Sequence, residues 1–282
     1  MIDGKKTVEQ LVRRFMSTKT STRKPYEKLP RNSSSVWRYM DLAKFLSLAH
    51  SKSIYFCRAD LFDDPFEGSF THGSLEEHLK ECGTDYPSNL IRFSSWIPCF
   101  SYISCWHASN FESAALWKIY GGVNSSIAIK SNIGRLKKLF PKILKTEQND
   151  IISRDIVRVQ YIDYKTQHPY LNDLAGPLCY KRQAYSYENE IRIVQQILPT
   201  CPQPRPDQPD GRAIKISEPP GHPGISLAID LNELIECVYV APTSPSWLLT
   251  AIKSTLGAFG LEQIPCRQST LDELPQYGHH NA

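Results

Sequence analysis

Near its middle strands the chain reads Tyr187-Glu188-Asn189-Glu190-Ile191-Arg192 and continues Ile193-Val194-Gln195. The β-branched run from residue 190 to 195 predicts a strand. Side chains on a strand alternate between its faces, so a strand through Glu188, Glu190 and Arg192 puts all three on one side. If that side faces inward, two carboxylates and a guanidinium enter the protein together. Charges buried without partners are expensive, so the fold must surround them with opposite charge or open a cleft beside them. A row of this kind marks either a site or a structural ion-pair network.

The rest of the chain can support such a fold. It has 282 residues, 41% of them hydrophobic and 22% charged, which is ordinary globular composition and enough for a sizeable core. No apolar run is as long as a membrane span. The first residues, with Asp3, Lys5, Lys6 and Glu9, contain no apolar leader segment, so the expectation is a cytoplasmic protein with no membrane partner. A net charge of +4 does not by itself call for nucleic acid; a local basic face would. The eight cysteines are expected as reduced thiols, several of them in apolar runs such as Ile54-Tyr55-Phe56-Cys57, where cysteine packs as a small hydrophobe.

Thr7 and Gln10 have capping-box spacing for a helix over 7–16, followed by a basic arm to residue 35. A single α+β domain is expected over 36–282. Asp41 is placed to cap a helix through Leu42 and Ala49, and Ser53–Cys57 reads as a strand. Asp60–Gly68 reads as a turn, a polar helical segment lies around 74–82, and Ile97–Ser101 reads as a strand. Ser109 and Glu112 have capping-box spacing for a helix to Tyr120, closed by Gly121-Gly122. Further strands are expected at 124–130, 157–164, 190–195, 225–229 and 237–240. A basic helix broken by Pro141 spans 132–145, and a closing helix spans 246–259. The proline-dense stretch 199–224 reads as a surface insertion with a short strand near 213–216. Helices do not alternate regularly with strands. The expected fold is therefore α+β, with a mixed, mostly antiparallel sheet and flanking helices.

Several blocks carry a resemblance. They are Trp37-Arg38-Tyr39, Ile54-Tyr55-Phe56 with Phe62-Asp63-Asp64-Pro65-Phe66-Glu67-Gly68, Cys105-Trp106-His107 with Glu112-Ser113, and Trp117-Lys118-Ile119-Tyr120. Val159 to Tyr164, and Lys181-Arg182 with Tyr187 to Arg192, complete them. In order and spacing they resemble the bacterial family known as domain of unknown function 2971, over roughly residues 36–270. That resemblance implies a bacterial cytoplasmic protein, often of accessory or mobile-element type, and implies no established activity.

One constellation points to chemistry. Arg38 on a first core strand, Ser101 on a middle strand, and Glu188-x-Glu190 on a later one follow an order similar to the arginine/serine/glutamate class of ADP-ribosyltransferases. The resemblance implies NAD as substrate, a macromolecular acceptor, and a role as toxin or phage-defence effector. Breaking the nicotinamide–ribose bond develops positive charge on the sugar, which a carboxylate stabilises. In this reading Glu190 takes that role and Glu188 orients or deprotonates the acceptor. Arg38 grips a phosphate with its planar fork. Ser101 holds the glutamate or a ribose hydroxyl. Trp106, Trp117 and Tyr120 stack on a ring, and Tyr39, His107, Glu112, Lys181, Arg182 and Arg192 complete the cofactor-binding set. A Ser-Thr-Ser triplet is replaced here by Phe100-Ser101-Tyr102.

Each residue also has a plainer reading. Arg38 can pair with Asp64 or Glu67 to hold a turn. Trp106, Trp117 and Tyr120 can be core. Cys105-x-His107, with Cys99 nearby, lacks the spacing of common zinc ligand pairs, and no metal is expected. Cys105 and His107 can also be read as nucleophile and base, with Glu112 orienting the imidazole. Asp63-Asp64 can bind a divalent cation or cap a turn. Arg135, Lys137, Lys138, Lys142 and Lys145 can form a solvated face or a nucleic-acid contact. The alternative function is a non-enzymatic nucleotide- or nucleic-acid-binding module.

Overall fold

The structure, a computed structural model, describes residues 27–74, 76, 95–120, 125–147, 150–168, 175–202, 212–214 and 217–274. The expected helix at 7–16, the first part of the basic arm, most of the 74–82 segment, Gly121-Gly122 and the middle of the insertion lie outside them.

The described elements begin with β1 (Ser35–Asp41) and α1 (Leu42–Ser51). Asp41 caps α1 as its sequence position predicts: its Oδ1 accepts from the Lys44 amide at 2.8 Å. Removing that acceptor in Asp41→Ala is expected to cost about 1 kcal/mol, read as a lowered urea midpoint. Next comes β2 (Ser53–Arg58), and then the aspartate-rich turn. That turn needs its glycine. Gly68 has φ +72°, and a Cβ there would lie 2.6 Å from Pro98 Cγ.

The chain continues through β3 (Ser101–Ala108), α2 (Ala114–Tyr120), β4 (Ser126–Asn132), α3 (Ile133–Leu139), β5 (Ile143–Glu147) and β6 (Asp150–Arg158). After these come β7 (Gln160–Ile162), β8 (Tyr180–Arg182), β9 (Glu190–Pro202), β10 (Arg212–Ile214) and β11 (Gly224–Ala228). The chain closes with α4 (Leu231–Leu234), β12 (Cys237–Val240), α5 (Ser246–Ala258) and β13 (Cys266–Gln268).

Four local expectations are corrected. Ile97–Phe100 is a 3-10 turn, because Pro98 fixes φ and has no amide hydrogen to give a ladder; Ser101 therefore opens β3 instead of closing a strand. The cap of α2 is Ser113, whose Oγ accepts from Leu116 N at 3.3 Å, while the Ser109 hydroxyl serves the Phe111 amide. The basic helix ends at Leu139, ahead of Pro141, and the rest of it becomes β5. The strand expected over 157–164 begins earlier, at Asp150, and is split at Val159, whose amide donates to Glu190 O at 3.0 Å.

The chain groups into two compact units. The first comprises Met1–Pro30, Ile54–Trp106 and Phe140–Leu227; the second comprises Arg31–Ser53, His107–Leu139 and Ala228–Ala282. Each is assembled from three stretches of chain, so no single linker divides them. In the first unit β6 lies between β5 and β9 and is antiparallel to both. β9 also pairs with β3 and, antiparallel, with β10; β2 pairs with β11 and, antiparallel, with β3. β7 and β8 form a separate parallel ribbon. The unit's core holds Ile97, Phe100, Ile103, Val157, Leu178, Val194 and Leu198. The far end of the proline-rich insertion is fastened here. Arg58 donates from its amide to Pro223 O at 2.9 Å and from Nη1 to the carbonyls of Pro220 and His222, and Trp96 Nε1 donates to Ser217 O.

In the second unit β4 lies between β1 and β12, antiparallel to both, and β13 runs parallel to β12. His107 and Ala108, at the end of β3, pair antiparallel with β1. Trp37, Tyr39, Leu116, Trp117 and Ala128 pack into one cluster of its core. The fold is thus α+β with a mostly antiparallel, mixed sheet. No helix among the described residues is long and apolar enough to cross a membrane.

Candidate functional site

The charged row that constrains the sequence does turn inward, in the first unit. Glu190 and Arg192 come from β9 and share a face, as the two-residue period requires. Glu188 does not belong to the strand. It ends a 3-10 turn over Gln183–Glu188, and Asn189, left-handed at φ 39°, redirects the chain before β9. Lys181 comes from β8. Glu67 comes from the aspartate-rich turn, where Asp64 holds the Phe66 amide with Oδ1 and the Glu67 amide with its carbonyl.

Arg192 is fully buried and its fork is fully used. Nη1 and Nη2 each reach a Glu67 oxygen at 2.8 Å; Nε reaches Glu190 Oε2 at 2.8 Å and Nη2 reaches it at 2.7 Å. Nη1 also donates to Leu178 O. Lys181 Nζ lies 2.5 Å from Glu188 Oε2, 3.2 Å from Glu67 Oε1 and 3.7 Å from Glu190 Oε1. Counted in their charged forms, three carboxylates meet two cations, so the cluster carries 3 − 2 = one surplus negative charge.

Burial opposes ionisation of Glu190, but Arg192 and Lys181 together outweigh it and hold the carboxyl below the usual carboxylate range. Burial likewise opposes the charged forms of Lys181 and Arg192. Glu190 and Glu67 prevail in both cases, and both stay protonated above their ordinary ranges. The Cys105 thiol hydrogen-bonds to Glu190, and burial pushes its pKa well up, with the Glu190 charge adding to the effect. A thiol so held resists ionisation, which disfavours it as a nucleophile. Tyr161 OH accepts from the Glu190 amide at 2.8 Å.

Other residues singled out in this unit serve different ends. Ser101 is buried; its hydroxyl donates to Ile97 O at 2.8 Å and accepts from Gln196 Nε2 at 3.0 Å, so it is committed to the backbone and to β9. Trp106 is 1% exposed and donates to Ser104 Oγ, which leaves no ring face open. Asp64 pairs with Arg182 Nη2 at 2.9 Å, and Glu67 with Arg192 and Lys181. The partners of this turn are therefore cations from β8 and β9.

The remaining candidates lie in the second unit. Arg38 is half-buried on β1, in register with Ile129. Tyr39 OH accepts from the Ser113 amide at 2.8 Å, and burial pushes its phenol well above the ordinary range. Trp117 meets Tyr39 edge-on at 5.0 Å and donates from Nε1 to Glu112 Oε2 at 3.0 Å; Glu112 therefore serves the indole. His107 sits 6.4 Å from the Tyr39 ring, and Tyr120 is exposed. Trp37, Tyr239 and Lys130 join this aromatic group, with Lys130 Nζ 5.7 Å from the Trp37 ring. The basic helix is largely engaged: Lys138 pairs with Glu233 at 2.9 Å, Arg135 with the Glu233 carbonyl, and Lys137 with Asn32. Lys142 pairs with Asp155 in the first unit.

Sequence reasoning missed Tyr161 as a partner of Glu190, and it offered Glu67 as a partner of Arg38 where the structure pairs it with Arg192 and Lys181.

No family model, no curated protein and no solved structure matches the chain.

Proposed function

We propose that the charge cluster of the first unit is the centre of an ADP-ribosyl transfer from NAD to a macromolecule. The observation that carries this reading is the buried Glu190 carboxylate, which shares Lys181 with Glu188 in a cluster where carboxylates outnumber cations. Rupture of the bond between nicotinamide and ribose shifts positive charge onto the sugar, as glycoside cleavage does. A fixed negative surplus, shielded from water, lowers the energy of that state more than an exposed one would. Glu190 takes the ribosyl charge, and Glu188 orients or deprotonates the acceptor. Arg192 and Lys181 are positioning residues that hold the two carboxylates. The reading rests on the glutamates; the Ser101 hydroxyl and the Trp106 ring are already occupied and have no part in it. The resemblance in residue blocks adds the expectation of a bacterial cytoplasmic protein, and the transferase reading that of a toxin or phage-defence effector.

A second reading has its own support. Every donor of Arg192 is spent within the protein, which is what a structural network inside a non-enzymatic nucleotide- or nucleic-acid-binding module would do. Nicotinamide release from NAD by the purified chain separates the two. The first reading expects release that disappears in Glu190→Gln while the far-ultraviolet circular dichroism spectrum is kept. Absence of release from the unaltered chain, together with salt-sensitive oligonucleotide binding that survives Glu190→Gln, would overturn it in favour of the second.

A further inference from the structure

The sheet of the second unit has one closed face and one that opens toward its edge. Residues paired across neighbouring strands point to the same side. Val36, Ile129 and Val238 share the closed side, and none of them is exposed. On the other side Trp37 pairs with Lys130, Ala128 with Tyr239, and Tyr239 with Arg267. The β1 end of this side is covered, with Trp117 of α2 packed against Tyr39 and Trp37 only 3% exposed. Exposure then rises toward the edge strand β13: Lys130 and Tyr239 are half-buried, and Arg267 is exposed.

Tyr239 is held from two directions. Its ring lies 5.1 Å from that of Trp37, and its phenol faces the Cys237 thiol. Cys237 precedes it by two residues, about 6.6 Å along the strand, so the ring lies along the strand. Cations flank this ring. Lys130 Nζ is 5.7 Å from the Trp37 ring, and Arg267 is the neighbour of Tyr239 on β13. Neither forms an ion pair among the described residues, whereas Arg135 and Lys138 of the same unit face Glu236 and Glu233. Glu112 is the carboxylate that acts on the Tyr239 phenol, and its Oε2 is bonded to the Trp117 indole. Lys130 and Arg267 against Glu112 leave 2 − 1 = one surplus positive charge.

We infer that this face binds single-stranded nucleic acid, with one base stacked on Tyr239 and the adjoining phosphates held by Lys130 and Arg267. A fixed ring between unpaired cations suits such a strand. Its bases offer flat faces, and its backbone repeats a negative charge at every nucleotide. A duplex hides its base faces, and a free phosphate has none. The inference rests on the second reading above, to which it gives a surface, and it uses no residue of the charge cluster.

Fluorescence anisotropy of short labelled strands with the full chain tests this, using thymidine DNA, uridine RNA and an abasic strand of equal length. Binding of the base-bearing strands is expected, and the tighter of the two identifies the natural polymer. Tyr239→Leu keeps apolar bulk against Trp37. It should weaken base-bearing strands by about 5- to 150-fold and leave the abasic strand unchanged. Tyr239→Phe should bind as the unaltered chain does. Arg267→Gln should weaken all strands alike and make the plot of log affinity against log salt shallower by about 0.7. Absence of binding to any strand, a Tyr239→Leu loss equal for base-bearing and abasic strands, or an unchanged salt slope in Arg267→Gln would each overturn the inference. Binding that is unaltered in both variants removes this face and leaves the nucleic-acid reading to another surface. Nicotinamide release enters none of these outcomes, so the transfer reading stands or falls separately.

Discussion

Arg192→Ala is expected to destabilise the first unit by about 3–5 kcal/mol, the cost of leaving buried charge without its partner. In the native cluster two cations answer three carboxylates. Without Arg192, Lys181 alone faces Glu67, Glu188 and Glu190, and the surplus rises from one negative charge to two. Four hydrogen-bond acceptors lose donors: both Glu67 oxygens, Glu190 Oε2 and Leu178 O. A fully buried side chain is also removed, which leaves a cavity. Urea unfolding should show a midpoint lower by about 1–3 M. An unchanged midpoint would mean that these groups gain little from one another.

Glu190→Gln is expected to do the opposite: small loss of stability, large loss of activity. The amide keeps the shape of the carboxylate and can still accept from Arg192 Nε. Its neutrality leaves two carboxylates facing two cations, a balanced cluster. Under the proposed transfer, what disappears is the surplus charge that would face the ribosyl cation, worth on the order of 10²–10³ in the rate of NAD cleavage. The comparison of the two substitutions separates holding from chemistry. If Glu190→Gln unfolds as readily as Arg192→Ala, its lost activity carries no mechanistic meaning, and the cluster is structural.

The same cluster contributes to the pH dependence of stability. The Glu190 carboxyl is held below its ordinary range in the folded protein. Its contribution is therefore present above the unfolded carboxylate pKa of about 4.3 and is lost as pH falls through the lower folded value. Lys181 is held above its ordinary range, so its contribution is complete below about pH 10.4 and is lost as pH rises through the higher folded value. Urea midpoints measured across pH should be level between these limits with respect to both groups. In Glu190→Gln the part of the acid decline that this carboxyl contributes should vanish.

Much of the local structure was legible in the residues. The Asp41 cap, the strands at 53–58 and 237–240, the closing helix and the α+β class follow from periodicity, capping chemistry and turn residues, which act over a few positions. The inward face of Glu190 and Arg192 was legible for the same reason, since strand alternation is local. Errors arose where short-range signals competed, as at Pro98, where apolar character pointed to a strand and the missing amide hydrogen decided for a turn. Only the tertiary structure decided which charges met. Glu67 lies more than a hundred residues from Arg192, and its fork onto that guanidinium depends on the packing of β8 and β9 against the aspartate-rich turn. Composition determined that buried charge had to find partners. Long-range packing chose those partners, and it committed Ser101 to Ile97 and Gln196, because hydrogen-bonding groups removed from water take the nearest complement that the fold provides.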